Sequence, residues 1–241
     1  MSRLQWDKTG ERFFETGVDR VVLYVLRSAA AWGGITAINE SPSGAEPSKI
    51  YADNTVYGVV LSPEEDSVTI EAFTYPELFN KCIGRNAIIP GAYIGQQNFI
   101  PFGLCWRTKL SNDVTDNAGY KIHIAPFLQV SPSEDSNSTI NDSPEQKSFS
   151  WNATAVAIDV GEERMTSMIV LDSRWFDKNG LWNALVEIEN LLYGSETADA
   201  KIINLAEITS IVNKSYKLLD DDDNSIVDDN GNAIYTAVYN R

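Results

Sequence analysis

The residues that could do chemistry are few. The chain holds one histidine, His123, and two cysteines, Cys82 and Cys105, among 241 residues that include 34 acids. His123 lies in the run YKIHIAPFLQV, residues 120–130, whose period of two puts Lys121 and His123 on one side and Tyr120, Ile122 and Ile124 on the other. No cysteine or second histidine stands at metal-ligand spacing to it, and no G-x-S-x-G marks a serine nucleophile. Cys82 (KCI) and Cys105 (LCW) sit in apolar surroundings. These fit buried free thiols, because a reactive thiolate needs an electropositive, accessible setting. The phosphate-cradling patterns G-x-x-x-x-G-K-[ST] and G-x-G-x-x-G are missing from the sequence. With so many acids, the occurrence of carboxylate pairs carries no information about glycoside chemistry. The run from Asp220 to Asn224 has the charge of a calcium loop, but Ser225 stands where such a loop needs glycine, and the run from Asp228 to Asn232 misses the spacing too. No glutamate follows either run. We therefore read the chain as non-enzymatic, without cofactor or bound metal, and the acidic tail as a solvated segment.

Charge narrows the partners. The net charge is -15, which argues against a protein that grips nucleic acid, since phosphate binding needs a cationic face. An acidic wall instead repels phosphates and lets them pass. No run approaches the roughly 18 apolar residues of a membrane-spanning helix, so no membrane insertion is expected. The opening MSRLQWDKTGERFF lacks an apolar signal-peptide core, and we expect synthesis and retention in a cytoplasm.

The elements that would carry such surfaces are mostly strands. Residues 1–20 are read as an N-terminal arm with Trp6, Phe13 and Phe14 as anchors, feeding an apolar first strand at 21–26. Residues 28–54 are broken by Gly33, Gly34, Pro42, Gly44 and Pro47 and are read as a long projecting loop, anchored by Trp32, Ile35 and Ile38. Disorder is the competing reading of the same composition. Strands are expected at 55–61 and 67–74, joined as a hairpin through 62–66, and at 98–110, 120–130, 148–160 and 166–172. In the second, Val68, Ile70 and Ala72 alternate with Thr69, Glu71 and Phe73. Pro76–Ile83 is expected to form a short helix, and residues 85–97 are weakly patterned. One long helix is expected over 175–193, with an apolar stripe through Leu181, Trp182, Leu185, Ile188, Leu191 and Leu192 and a stop at Gly194. A shorter helix is expected within 201–212. Residues 214–241 form a C-terminal arm that carries Asp220, Asp221, Asp222 and Asp223. The fold class is mainly β, a sandwich or barrel of two packed antiparallel sheets over residues 21–213, with one flanking α-helix.

Five stretches, taken in order, resemble the major tail (tail tube) proteins of long-tailed, non-contractile bacteriophages. They are WDKTGERFFETGVDRVVLY (6–24), YADN (51–54), TIEAFTYPELF (69–79), FSWNATAVAIDVG (149–161), and VLDS leading to LLYG (170–194). The resemblance implies a phage tail-tube fold. It also implies hexameric rings of this chain stacked into a tube, through which genome DNA passes during ejection without specific binding. Tape-measure protein, tail terminator and distal tail protein are the implied partners, and the implied location is the virion tail, assembled in the host cytoplasm. By the same resemblance, Trp6, Phe13 and Phe14 would contact a neighbouring subunit. Trp32, Ile35, Ile38 and Tyr51 would belong to an inter-ring loop, Thr69 and Glu71 would face an acidic lumen, and Asp220–Asp223 would form a connecting arm. The sequence departs from the family at Arg20, where relatives often carry glycine after the Val-Asp pair. The alternative reading is a β-sandwich carbohydrate-binding or adhesion module of a virion, with Trp32, Trp106 or Trp151 as an exposed sugar-stacking platform.

Overall fold

The computed structural model describes residues 6–44, 46–61, 64–137, 139, 146–159 and 165–215. The acidic arm Asp220–Asp223 lies outside the described residues. The protein is mainly β, with 46% of the described residues in strands and 18% in helices. The strands are β1 (Phe14–Val25), β2 (Ser28–Ala31), β3 (Ile35–Gly44), β4 (Pro47–Ala52), β5 (Thr55–Leu61), β6 (Glu64–Ala72), β7 (Asn86–Ile89), β8 (Ala92–Ile94), β9 (Phe102–Ser111), β10 (Gly119–Val130), β11 (Phe149–Ala155) and β12 (Ile169–Asp172). The helices are α1 (Ser173–Lys178), α2 (Trp182–Tyr193) and α3 (Leu205–Ser215), and a short 3-10 helix spans Glu77–Lys81.

Eight strands form one antiparallel sheet in the order β2-β1-β9-β10-β11-β6-β3, with β12 also paired to β10. The sheet serves two cores, and period-two alternation divides its residues between them. Val21, Leu23 and Val25 of β1 and Leu104 and Trp106 of β9 face the first core, whereas Val22, Tyr24 and Cys105 face the second. β10 does both jobs in succession. Its Ile122 and Ile124 face the second core, and its Ala125, Leu128 and Val130 face the first. The change of parity falls where the pairing with β9 is irregular, between Ala125 and Leu128. Before that point β10 carries β12 on its free side, through Lys121–Ile124, and after it β11, through Leu128–Val130. From there β11, β6 and β3 fold over the inner face of β1 and β9, and their Val68, Ile70, Trp151 and Ala153 complete the first core.

Phe79, fully buried on the 3-10 helix, plugs this core. Its ring lies 4.5 Å from Trp32, 5.0 Å from Trp151 and 5.5 Å from Phe102, centroid to centroid. The helices cover the second core. Asp172 caps α1 by accepting the Arg174 N–H at 3.0 Å. The expected single helix over 175–193 is two, because Gly180, at φ +68°, turns the chain out of α1. Leu181 N–H then bonds back to the Phe176 carbonyl, and α2 starts afresh. Gly103 lets Ile202 pack directly on β9: a Cβ there would sit 2.3 Å from Ile202 Cδ1 and 3.1 Å from the Pro126 carbonyl, so the Ile202 side chain would have to shift.

Several expectations are corrected. Residues 28–54 are not a loop but carry β2, β3 and β4. Pro42 is tolerated because β3 is the sheet's edge, and Pro47 because it opens β4. β5 and β6 do not pair with each other: β5 pairs with β4, and β6 lies between β3 and β11. Residues 14–20 belong to the sheet rather than to an arm, paired with β9 from Ser111 onwards. Residues 86–94 form the β7–β8 hairpin. Trp32 is 3% exposed and belongs to its own chain's core, with Nε1 donating to the Thr74 carbonyl at 2.8 Å. Trp32→Ala should therefore destabilise the isolated chain by about 3–5 kcal/mol in urea unfolding, whereas an anchor reserved for another subunit would leave the monomer's midpoint unchanged.

Candidate functional site

An apolar arm stands out from the sandwich. Beyond the pair Glu40–Val68, the strands β3 and β6 run on together through Ser41–Gly44 and Glu64–Ser67, and the chain between them forms the separate hairpin β4–β5. The hairpin turns at Asp53 and Asn54, both with positive φ (50° and 61°). That geometry matches the twist of the flanking strands, and Asp and Asn tolerate it better than other side chains. Thr55 Oγ1 closes the turn on the Ala52 carbonyl at 3.1 Å. A register shift between Ile50 and Tyr51 leaves Tyr57 as the extra residue of β5.

The composition of this hairpin is that of a surface awaiting cover. Ile50, Tyr51, Val56, Val59, Val60 and Leu61 are all exposed, and Tyr57 is 78% exposed. They emerge on both sides, so the hairpin has no core of its own, and two strands alone are marginally stable in water. Contiguous exposed apolar surface of this kind marks an interaction site. Of the four residues assigned to an inter-ring loop, Tyr51 lies here. Trp32 is buried, and Ile35 and Ile38 pack against the first core, because they sit where β3 still covers the sandwich.

The opening segment docks on its own chain. Gly10 N–H donates to Asp113 Oδ1 at 2.9 Å and Asn112 Nδ2 donates to the Gly10 carbonyl at 2.9 Å, fixing the segment to the β9–β10 turn. Phe13 lies under the Arg174 guanidinium at 4.2 Å. Both bonding partners of an expected inter-subunit arm are thus intramolecular at these positions, while Trp6 (74% exposed) and Phe14 remain open. Two register shifts then bend β1, one on each side of Val18–Asp19. At the second, Arg20 takes φ +50°, a conformation that costs a side-chain-bearing residue about 1 kcal/mol. This is the position at which glycine was the family expectation. Arg20 sits over the Tyr193 ring at 5.7 Å. Beside it, Asp19 accepts two bonds from Arg107, at 2.7 and 2.8 Å, with Lys109 Nζ 3.6 Å away.

Thr69 and Glu71 lie on the outer face of the β3–β6–β11 layer. In register with them are Asn39 and Asn152 beside Thr69, and Ala37 and Ser150 beside Glu71. Glu65 is also on this face, and no lysine or arginine occupies its registered positions from 37 to 43, 65 to 71 and 150 to 154. The face is polar, half-buried to exposed, and acidic without counter-charge.

The chemistry-bearing residues are enclosed. Cys82 and Cys105 are buried free thiols, and burial pushes both up to about 12. His123 is buried, with its ring stacked on Trp106 at 5.2 Å. Among the described residues, no cluster of three His, Cys, Asp or Glu is arranged to hold a metal ion. Trp32, Trp106 and Trp151 are 1–5% exposed, so they form core rather than a sugar-stacking platform. No protein-family model matches the chain, and no curated protein sequence matches it.

Tyr57 and the valines of β5 are legible as a strand, whereas Tyr51 reads as part of the 28–54 loop; the signal that locates the turn is Asp53-Asn54 between two apolar runs. For the Asp19 pair the sign of the pH dependence is fixed. The Arg107 hydrogen bond holds the Asp19 carboxyl below the ordinary carboxylate range. Its contribution is therefore present above the unfolded value of about 3.9 and is lost as pH falls through the lower folded value. The stability difference between the native chain and Asp19→Asn, measured by urea unfolding, should be constant from pH 5 to 8 and shrink below about pH 4.

Proposed function

We propose that the protein is a self-assembling structural subunit of the tail-tube kind: six copies close into a ring, and rings stack into a tube that conducts genome DNA out of a virion. The observation that carries this reading is the β4–β5 arm. It presents apolar side chains on both faces at the end of a ribbon, so covering it takes more than one flat contact. A groove between neighbouring copies offers that. The arm and the surface that receives it are different parts of the chain, and repeated contacts between unlike patches extend into rings or filaments.

The charge distribution fits a conduit. The outer face of the β3–β6–β11 layer, with Glu71, Glu65 and a set of small polar side chains, would line the channel. A wall of acid and amide without a base repels phosphate and binds none of it. The tape-measure protein, tail terminator and distal tail protein are the partners such a tube requires, and the virion tail is the location that follows. The phage tail-tube fold is the corresponding reading of the sandwich and its helical layer. The five stretches of sequence that resemble that family include the opening segment and most of β1, the arm's turn, β6 into the 3-10 helix, β11, and β12 through α2. They thus mark the sandwich, its plug and its arm.

Negative-stain microscopy of the purified chain across concentration tests the proposal. Rings or tubes with a central hole are expected, and Tyr57→Asp combined with Val59→Asp should abolish them while leaving the circular dichroism and unfolding midpoint of the monomer unchanged. A chain that stays monomeric at high concentration, with other tail components present, would overturn the reading. So would tubes formed normally by the doubly substituted arm.

A further inference from the structure

A second apolar hairpin stands clear of the sandwich. β7 and β8 form a two-stranded sheet of their own. They turn through Pro90 and Gly91, whose φ of +85° suits the second corner of a type II turn. Ile88 and Ile89 are 65% and 62% exposed, and Tyr93 and Ile94 are exposed too. Two such short strands make no core, and adjoining exposed apolar side chains mark a contact surface. The hairpin is nonetheless held in place. Tyr93 Oη donates to Glu77 Oε1 at 2.7 Å, and at the hairpin's base Gln97 N–H donates to the Gly84 carbonyl at 3.0 Å. Arg85, next to β7, donates to Tyr75 Oη at 3.0 Å and to Asp135 Oδ2 at 3.2 Å.

The two apolar hairpins leave β6 at opposite ends. β4–β5 leads into it at Glu64, which pairs with Gly44. β7–β8 follows its far end, beyond Ala72, where Tyr75 packs edge-on at 5.3 Å against Phe149, the partner of Ala72. The strand between these ends spans about 26 Å at roughly 3.3 Å per residue. Within one chain, therefore, each hairpin keeps its apolar side chains exposed, and neither covers the other. Charge distinguishes them as well. Residues 46–66 carry the acids Glu46, Asp53, Glu64, Glu65 and Asp66 against one base, Lys49. Residues 78–106 carry Lys81 and Arg85 and no acid, in a chain whose net charge is -15. Lys81 is exposed and lies with Ala87 and Tyr93 around one cleft. Asp53 is exposed at the arm's turn.

We infer that the β7–β8 hairpin receives the β4–β5 arm of a second copy of this chain, so that subunits join head to tail. Apolar side chains meet apolar ones, and the acids of the arm lie toward Lys81 and Arg85. Burial of apolar surface supplies the attraction, and complementary charge selects the orientation. A receiving hairpin already fixed by Tyr93, Gln97 and Arg85 loses little further freedom on contact. Each joined pair still has a free arm at one end and a free receiving hairpin at the other, so the contact repeats into a stack. The inference rests on the tail-tube reading and names the surface that the arm would use in it.

Ile88→Asp combined with Ile89→Asp tests this in the full chain. Both side chains are exposed, so the unfolding midpoint should stay at its native value. The concentration at which assemblies appear in negative stain should rise roughly tenfold or more. Ile89→Ser alone serves if the double variant fails to fold. This variant keeps an intact arm, whereas Tyr57→Asp with Val59→Asp keeps an intact receiving hairpin. At a concentration where the native chain assembles, each variant alone should sediment as a monomer, and an equimolar mixture should form heterodimers. A mixture that stays monomeric there, or a β7–β8 variant that assembles like the native chain, would overturn the inference and leave the tail-tube reading standing. Native filaments without a central channel, lost in the β7–β8 variant, would uphold the inference and remove the tail-tube reading instead.

Discussion

The architecture depends on one strand serving two cores. β10 gives Ile122 and Ile124 to the helical layer, and Leu128 and Val130 to the inside of the sandwich. A regular strand cannot do this, because a period of two keeps even-numbered residues on one face. The irregularity between Ala125 and Leu128 changes that parity. It also moves the free edge of β10 from β12 to β11. Without it, Leu128 and Val130 would point at the helices, and the β11–β6–β3 layer would have no apolar surface to fold against. The buried plug of Phe79 and the aromatic cluster around it would lose one wall.

The arm follows from the same constraint. Because β3 and β6 belong to the layer that folds over, they run past the limit of the body they cover. At Glu40–Val68 the burial ends but the pairing does not. The chain then spends a hairpin's worth of apolar residues where they bury nothing in the isolated subunit. Left uncovered, such a surface is a liability for aggregation. Under the proposed assembly it becomes a joint between copies. The remaining surfaces are consistent with that division of labour. The outer face of the folded-over layer is polar and acidic, the opening segment is bonded to its own β9–β10 turn, and the thiols and the imidazole are withdrawn from solvent.

Much of the sandwich could be read from alternation alone. The expected strands at 67–74, 98–110, 120–130, 148–160 and 166–172 each coincide with a strand: those at 67–74, 148–160 and 166–172 have one buried face, and those at 98–110 and 120–130 are apolar runs buried against both cores. The apolar stripe of α2 was equally legible. What escaped was set by neighbours rather than by local pattern. Gly33, Gly34, Pro42 and Pro47 look like loop punctuation, yet an edge strand accepts proline and a tight turn needs glycine. Trp32 was recognisable as an anchor, but its sequence neighbours do not say whether it anchors to its own core or to another subunit. Gly180 lies inside the apolar helical pattern of 175–193, and its left-handed backbone makes the break. In the arm, β5 is apolar on both faces, which reads equally well as a buried central strand or as an uncovered hairpin. Its sequence neighbours suggest a hairpin with β6, whereas it pairs with β4.

The central claim is that the β4–β5 hairpin is uncovered in the single chain and covered between copies. Hydrogen exchange of the backbone amides from Lys49 to Val60, read by mass spectrometry in dilute and in assembled protein, tests it most directly. The account expects fast exchange in the monomer and protection of at least tenfold on assembly, concentrated in this segment. Assembly that protects other surfaces while leaving these amides as fast as in the monomer would contradict it.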